Sequence, residues 1–267
     1  MAAALEIKPA WQQADAYERY MGRWSRQVAP PFLRWLDRPA DQRWVDVGCG
    51  TGALCAAILA RCAPRGVTGV DPSEGFLRKA QEQLGGRVGL HCAAGEALPL
   101  ASGCSDVSVA ALMLNFAADP RAVVAEMARI TAPGGCVAAY VWDYGGCMDL
   151  VRGYWEAARE QDPGVQTQDS GPRVALCRPE ALTALFEQCG LAEVDSRAVD
   201  ISLHFANFDD YWQPFLGGQG AAPAHAVALP APQRERLRER LRQRFAPTGD
   251  AFELAARAWA VRGVVAA

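Results

Sequence analysis

The chain has 267 residues, half of them hydrophobic and about a fifth charged; that balance fits a folded globular protein and excludes a disordered one. A net charge of −3 supplies no positive field for nucleic acid or an anionic membrane, so neither is expected as a partner. The length suits one large domain, or one domain with an inserted lid.

Nine cysteines are spread from Cys49 to Cys189 without a C-x-x-C pair or a histidine at ligand spacing. Reduced thiols and no metal site are expected. The N-terminus shows no basic stretch followed by an apolar core, and no apolar run is long enough to span a bilayer. A cytoplasmic protein is expected.

Residues 5–36 read as amphipathic helix with aromatics at Trp11, Tyr17, Tyr20, Trp24, Phe32 and Trp35. Pro30-Pro31 should divide it into two helices. Arg43 to Val47 is then a short apolar strand running into glycines, and Leu54 to Cys62 a helix. Gly66 to Val70 is the second strand, and Ser73 caps a helix to about Leu84. Val88 to Ala93 and Asp106 to Leu112 are strands three and four, and Pro120 to Thr131 is a helix. Pro133-Gly134-Gly135 turns the chain into strand five, Cys136 to Trp142. Repeated strand-then-helix units, with strands too apolar to alternate, imply a parallel sheet covered on both faces.

Beyond it, Leu150 to Gln161 and Pro179 to Cys189 read as helices, and Ala192 to Leu203 as a long strand. An aromatic segment, Phe205 to Phe215, leads into a flexible Gly/Ala/Pro-rich stretch, Gly217 to Pro232, that carries His225. Gln233 to Phe245 is strongly helical, and Phe252 to Val261 alternates like a strand. A lid insertion is expected at about 205–250, between the last two strands. The arginines of 233–245 are interleaved with glutamates, and Leu237, Leu241 and Phe245 form one stripe, so a solvated helix is expected rather than a nucleic-acid surface. The aromatics Phe205, Phe208, Tyr211, Trp212 and Phe215 should anchor the lid, with one or two facing a substrate.

The chemistry centres on Asp46-Val47-Gly48-Cys49-Gly50-Thr51-Gly52. Glycines between a first strand and a first helix let the backbone approach a ligand, and the helix N-terminus adds partial positive charge. Asp71 ends the second strand, where it can accept both hydroxyls of an adenosine ribose. Gly48-x-Gly50-x-x-Ala53 also satisfies a relaxed nicotinamide fingerprint. Against that alternative stand Asp46 inside the strand, the compact G-x-G-x-G loop and a later chain that runs on to an antiparallel-looking strand rather than a second dinucleotide half. A P-loop is excluded, because no Gly-Lys-Ser/Thr follows.

Val45-Asp46-Val47-Gly48-Cys49-Gly50-Thr51-Gly52 resembles the first motif of class I S-adenosylmethionine-dependent methyltransferases, in the group that methylates quinone precursors and other small molecules. The resemblance continues through Gly69-Val70-Asp71-Pro72-Ser73, Gly95-Glu96-Ala97-Leu98-Pro99 and Glu126-Met127 to Pro133-Gly134-Gly135. It implies a doubly wound α/β fold with seven strands, mostly parallel and the last antiparallel. It also implies S-adenosyl-L-methionine as cofactor.

By position, the resemblance puts Asp46, Gly48, Cys49, Gly50 and Gly52 around the methionine portion, Asp71 on the ribose and Pro72 near the adenine. Where the family usually has an acid before Gly95 this chain has Ala94, so the adenine would rely on the backbone of Ala94, Gly95 and Glu96. Tyr17 to Trp24 resembles the family's first helix, and Tyr20 and Arg23 could fold over the cofactor, the guanidinium pairing with the methionine carboxylate; an ordinary amphipathic helix with exposed arginines is the other reading.

Methyl transfer mainly asks that nucleophile, methyl and sulfur be aligned and water excluded, with a base needed only for an un-ionised acceptor. Candidates beyond the strand ends are Asn115, which should also line the cofactor site, Asp143 with Tyr144, and His204; His204 reads more readily as a pocket-wall or surface histidine. His91 is structural. The whole chain, 1–267, is expected to be one methyltransferase domain: a helical flap (1–36), a core (37–204 and 251–267) and the lid. It would methylate a small organic acceptor. The alternatives are an NAD-dependent oxidoreductase, a non-catalytic S-adenosylmethionine-binding protein, and a family member that uses the cofactor for something other than methylation.

Overall fold

The computed structural model describes residues 18–165, 172–218 and 220–266. Seven strands form one sheet in the order β3-β2-β1-β4-β5-β7-β6. The first five strands, β1 (Arg43–Val47), β2 (Gly66–Asp71), β3 (Gly89–Cys92), β4 (Ser105–Ala111) and β5 (Thr131–Trp142), are parallel to one another. β7 (Phe252–Val265) enters antiparallel between β5 and β6 (Leu191–Phe205). The expected parallel sheet with one reversed strand is therefore present. Chain order reverses at β1, which pairs with β2 on one side and β4 on the other; that reversal opens a crevice at the carboxyl ends of the strands.

Helices cover both faces. α1 (Arg23–Leu36) and α2 (Ala53–Arg61) lie on one face with α3 (Glu74–Leu84); α4 (Pro120–Ile130) and α6 (Pro179–Gln188) cover the other. The strands read as apolar runs because each face meets a helix layer. β5 alternates Cys136, Ala138, Tyr140 and Trp142 toward α1 with Val137, Ala139 and Val141 toward α4 and α6. Ser73 caps α3 by accepting from the Phe76 N–H at 3.3 Å, and Asp119 caps α4 by accepting from Ala122, as side-chain oxygens do at helix starts.

The division at Pro30-Pro31 does not occur. α1 is one helix with both prolines inside it. A proline removes the bond to the carbonyl four residues back, here those of Arg26 and Gln27, and both residues are exposed. Solvent can serve those carbonyls, while Trp24, Val28, Phe32 and Leu36 keep the opposite side buried. The start of the expected first helix, residues 5–17, lies outside the described residues.

Between β6 and β7 the chain makes α7 (Phe208–Trp212), a 3-10 turn (Gln213–Gly217), α8 (Ala221–Ala228) and α9 (Ala231–Phe245). The Gly/Ala/Pro-rich stretch is thus mostly helical, and His225 is fixed on α8, with its Nδ1 2.7 Å from the Tyr154 hydroxyl of α5 (Asp149–Gln161). α9 buries Leu237 and Leu241 and sends Arg244 to Glu156 and Glu160 of α5 at 2.9 and 2.5 Å. Among the described residues no helix is long and apolar enough to cross a membrane, and no cluster of three metal-ligating side chains occurs.

Candidate active site

A cavity of about 300 Å³ lies at the carboxyl edge of the sheet, where the strand order reverses. Its floor is the loop after β1. Gly48 and Gly50 have φ of +71° and +53°, a left-handed geometry that side chains disfavour. A Cβ on Gly48 would stand 2.6 Å from Met113 Cγ, whereas one on Gly50 would meet nothing within 4 Å. Gly48 is therefore constrained by packing, and Gly50 leaves open space toward the cavity. Gly52 sits behind the loop against Leu84.

Asp71 closes the loop onto β2. Its Oδ2 accepts from the Gly50 N–H at 2.9 Å and its Oδ1 from the Ser73 N–H at 2.8 Å. Burial pushes its pKa up, and the two backbone donors oppose that. Asp46 lies beneath the loop, fully buried, with one oxygen 3.2 Å from the Cys55 thiol and the other without a partner. Burial raises its pKa to about 7.

Gly48, Cys49, Gly50, Asp71, Pro72, Ala94, Gly95 and Glu96 all line this one cavity. The other sequence-selected residues, Tyr144 apart, fall elsewhere. Asp143 accepts from the Cys147 N–H at 3.0 Å and so shapes the turn after β5, while Tyr144 beside it lines the cavity. His204 is exposed on β6, its Nδ1 2.8 Å from Glu253. Asn115, 4% exposed between Leu114 and the cavity-lining Phe116, has neither amide atom hydrogen-bonded. Buried polar groups are normally paired.

Tyr20 is buried edge-on against Phe215, with ring centroids 5.3 Å apart. Arg23 donates to Asp210 Oδ1 at 2.6 Å and to the Asp210 carbonyl at 3.2 Å, and its guanidinium lies over Trp24 and Phe205. It does not face the cavity; Met21 and Ser25, on either side of it, do. The aromatics of the inserted segment pack on one another and on α5 rather than on the cavity. Phe215 stacks on Tyr154 at 4.8 Å, and the Tyr211 hydroxyl donates to the Leu150 carbonyl.

The sequence reading missed the far wall: Met113, Phe116, Tyr140 and Trp142. Tyr140 and Trp142 are i and i+2 near the end of β5, on the face that meets α1, where Phe32 touches Tyr140 at 4.7 Å. That spacing was the available signal. Leu112 turns the chain out of β4 with φ +58°, its N–H held by the Tyr140 carbonyl at 2.8 Å. Such a conformation is costly for a branched residue and is often found beside ligand sites.

This sheet order, with its glycine loop and acid at the switch point, is the Rossmann-like fold that class I methyltransferases also have. Residues 45–139 match the family described as a methyltransferase domain. A ubiquinone biosynthesis O-methyltransferase of Aromatoleum aromaticum is 36% identical over 118 residues, 42% of this chain and 50% of that protein. A demethylmenaquinone methyltransferase of Desulfitobacterium hafniense is 33% identical over 165 residues, 56% of this chain and 65% of that protein. The chain thus spans one half to two thirds of these curated relatives. A solved structure described as a type II methyltransferase from Anaeromyxobacter dehalogenans superposes with a TM-score of 0.61 at 22% identity, covering 93% of this chain and 96% of that one.

Proposed function

We propose that the protein is an enzyme that transfers a methyl group from S-adenosyl-L-methionine to a small organic acceptor. The observation that carries this reading is the pairing of Gly50 with Asp71. An open, left-handed glycine and a buried carboxylate share one hydrogen bond, so loop and acid form a single rigid wall for a nucleoside and its amino-acid arm. Asp71 would accept from the ribose hydroxyls, and the backbone of Ala94 to Glu96 would border the adenine beside Pro72. With Arg23 committed to Asp210, the methionine carboxylate would rest on the backbone of the loop and the N-terminus of α2, where helix partial charge favours an anion.

The cofactor supplies an activated methyl; the protein's part is to align the acceptor and exclude water. The flap formed by the turn at Glu18–Gly22 and α1, clamped by the inserted lid, would do the second. Asn115, with an unpaired amide beside the cavity, is the candidate for contact with the reacting groups. Small acceptors fit the names of the matched relatives, which concern quinones, and the pairing of Arg238, Arg240, Arg242 and Arg244 of α9 with carboxylates argues against a nucleic-acid surface there. None of the nine cysteines is in a disulfide, which supports a reducing, cytoplasmic setting.

Calorimetry with S-adenosylhomocysteine and with NAD tests the cofactor, and transfer of a labelled methyl to extracted small molecules tests the reaction. Binding of NAD without S-adenosylhomocysteine would overturn the reading.

A further inference from the structure

The cavity has two chemically different halves. The half at β1 to β3 carries its charged side chains, Asp71 and Glu96. The half at the ends of β4 and β5 is walled by Met21, Met113, Phe116, Tyr140, Trp142 and Tyr144. No arginine, lysine or histidine is found among the described residues lining either half. β5 is two strands from β1 in the sheet, about 10 Å at ordinary strand spacing, so the aromatic half lies beyond the floor assigned to the cofactor.

Resting on the methyltransferase reading above, we propose that the acceptor is an uncharged aromatic molecule, held in the half lined by Phe116, Tyr140, Trp142 and Tyr144. Three features exclude the charged alternatives. A carboxylate or phosphate brought against this wall loses its hydration and finds no counter-charge, which is strongly unfavourable. Arg26, next to Ser25, is exposed; Arg23 lies between Met21 and Ser25, but two hydrogen bonds hold it to Asp210 and its guanidinium rests over Trp24 and Phe205. Releasing it would leave the Asp210 carboxylate without its ion pair. A cationic acceptor would in turn meet the positive sulfonium at the boundary between the halves, at short range and low dielectric. Flat uncharged rings gain both apolar burial and stacking on the tyrosines and the tryptophan.

The test titrates three probes of matched shape, 2-naphthol, 2-naphthoate and 2-naphthyltrimethylammonium, into the protein saturated with sinefungin, whose amine stands where the sulfonium would. The naphthol should bind at least tenfold more tightly than either charged probe. Phe116→Arg and Tyr144→Arg, made separately so that a fold defect in one leaves the other, should each bring naphthoate within threefold of naphthol or past it. Naphthoate or the ammonium binding as well as naphthol to the unaltered protein overturns the proposal, as does naphthol failing to bind while sinefungin does. If neither sinefungin nor S-adenosylhomocysteine binds, the cofactor assignment has failed. The same titration without cofactor then decides the preference of the cavity alone, and a lost preference for naphthol there overturns the proposal.

Discussion

Arg23 and Asp210, 187 positions apart in the chain, are joined by a 2.6 Å ion pair that ties the start of α1 to the segment inserted between β6 and β7. Side chains exposed by 27% and 32% still face enough solvent to weaken such a pair, so its worth is about 0.5–1 kcal/mol. A double-mutant cycle on Arg23→Gln and Asp210→Asn should return a coupling of that size in urea unfolding. Strictly additive effects would show that the two elements are held by the aromatic contacts alone.

Asp71→Ala should weaken S-adenosylhomocysteine binding at least tenfold, about 1.5–3 kcal/mol for hydrogen bonds to a charged group. Asp71→Asn keeps an oxygen for the Gly50 N–H and should fall between. Calorimetry that finds the alanine variant unchanged would place the ribose elsewhere.

The two first glycines of the loop should respond differently to alanine. Gly50→Ala meets no neighbour and incurs only the left-handed backbone penalty, about 1–2 kcal/mol, so the protein should fold and lose cofactor affinity. Gly48→Ala drives a Cβ to 2.6 Å from Met113 and should lower the melting temperature markedly more. Equal losses of stability in the two variants would contradict the packing described.

Asp46 should make stability pH-dependent. Its folded pKa is about 7 against an ordinary 3.8. Between about pH 4 and 7 the folded chain keeps a proton that the unfolded chain has lost. Stability therefore falls as pH rises through that window and levels off above it. Asp46→Asn should remove this contribution, so the difference in urea midpoint between wild type and variant should change between pH 5 and pH 8. A constant difference would mean that Asp46 is ionised throughout.

Asn115→Leu replaces a buried amide that has no partner by an apolar group of similar size, which should leave the melting temperature unchanged or higher. If the amide contacts the reacting groups, methyl transfer should nevertheless drop while S-adenosylhomocysteine affinity changes little. Undiminished turnover would remove Asn115 from the site.

The parallel part of the sheet was legible because β1, β2 and β4 are short, apolar and followed by a turn or cap, as with Arg43–Val47 before its glycines and Ser73 before α3. The β1-to-β3 side of the cavity was legible too, since Gly48, Gly50, Asp71 and Ala94 to Glu96 line it where the backbone itself directs them. Side-chain direction was not. His204 follows the same logic of strand ends as Tyr144, yet it stands on edge strand β6 and alternation turns it outward to Glu253. Tyr140 and Trp142 read as ordinary core, because a buried cavity wall and a packed interior require the same residues. Arg23 could pair with an anion inside the cavity or stay an exposed arginine of an amphipathic helix, and only the fold brings a carboxylate from the distant Asp210 within its reach.

β6 and β7 pair from Leu191–Val265 to Phe205–Phe252, so their register is set by the strands and not by what connects them. Lengthening such a connection costs little, because closure entropy grows only with the logarithm of loop length. The clamp on α1 is therefore an exchangeable part. A descendant of this chain can acquire a new roof by replacing one connection, and leave untouched the loop and acid on which its chemistry would depend.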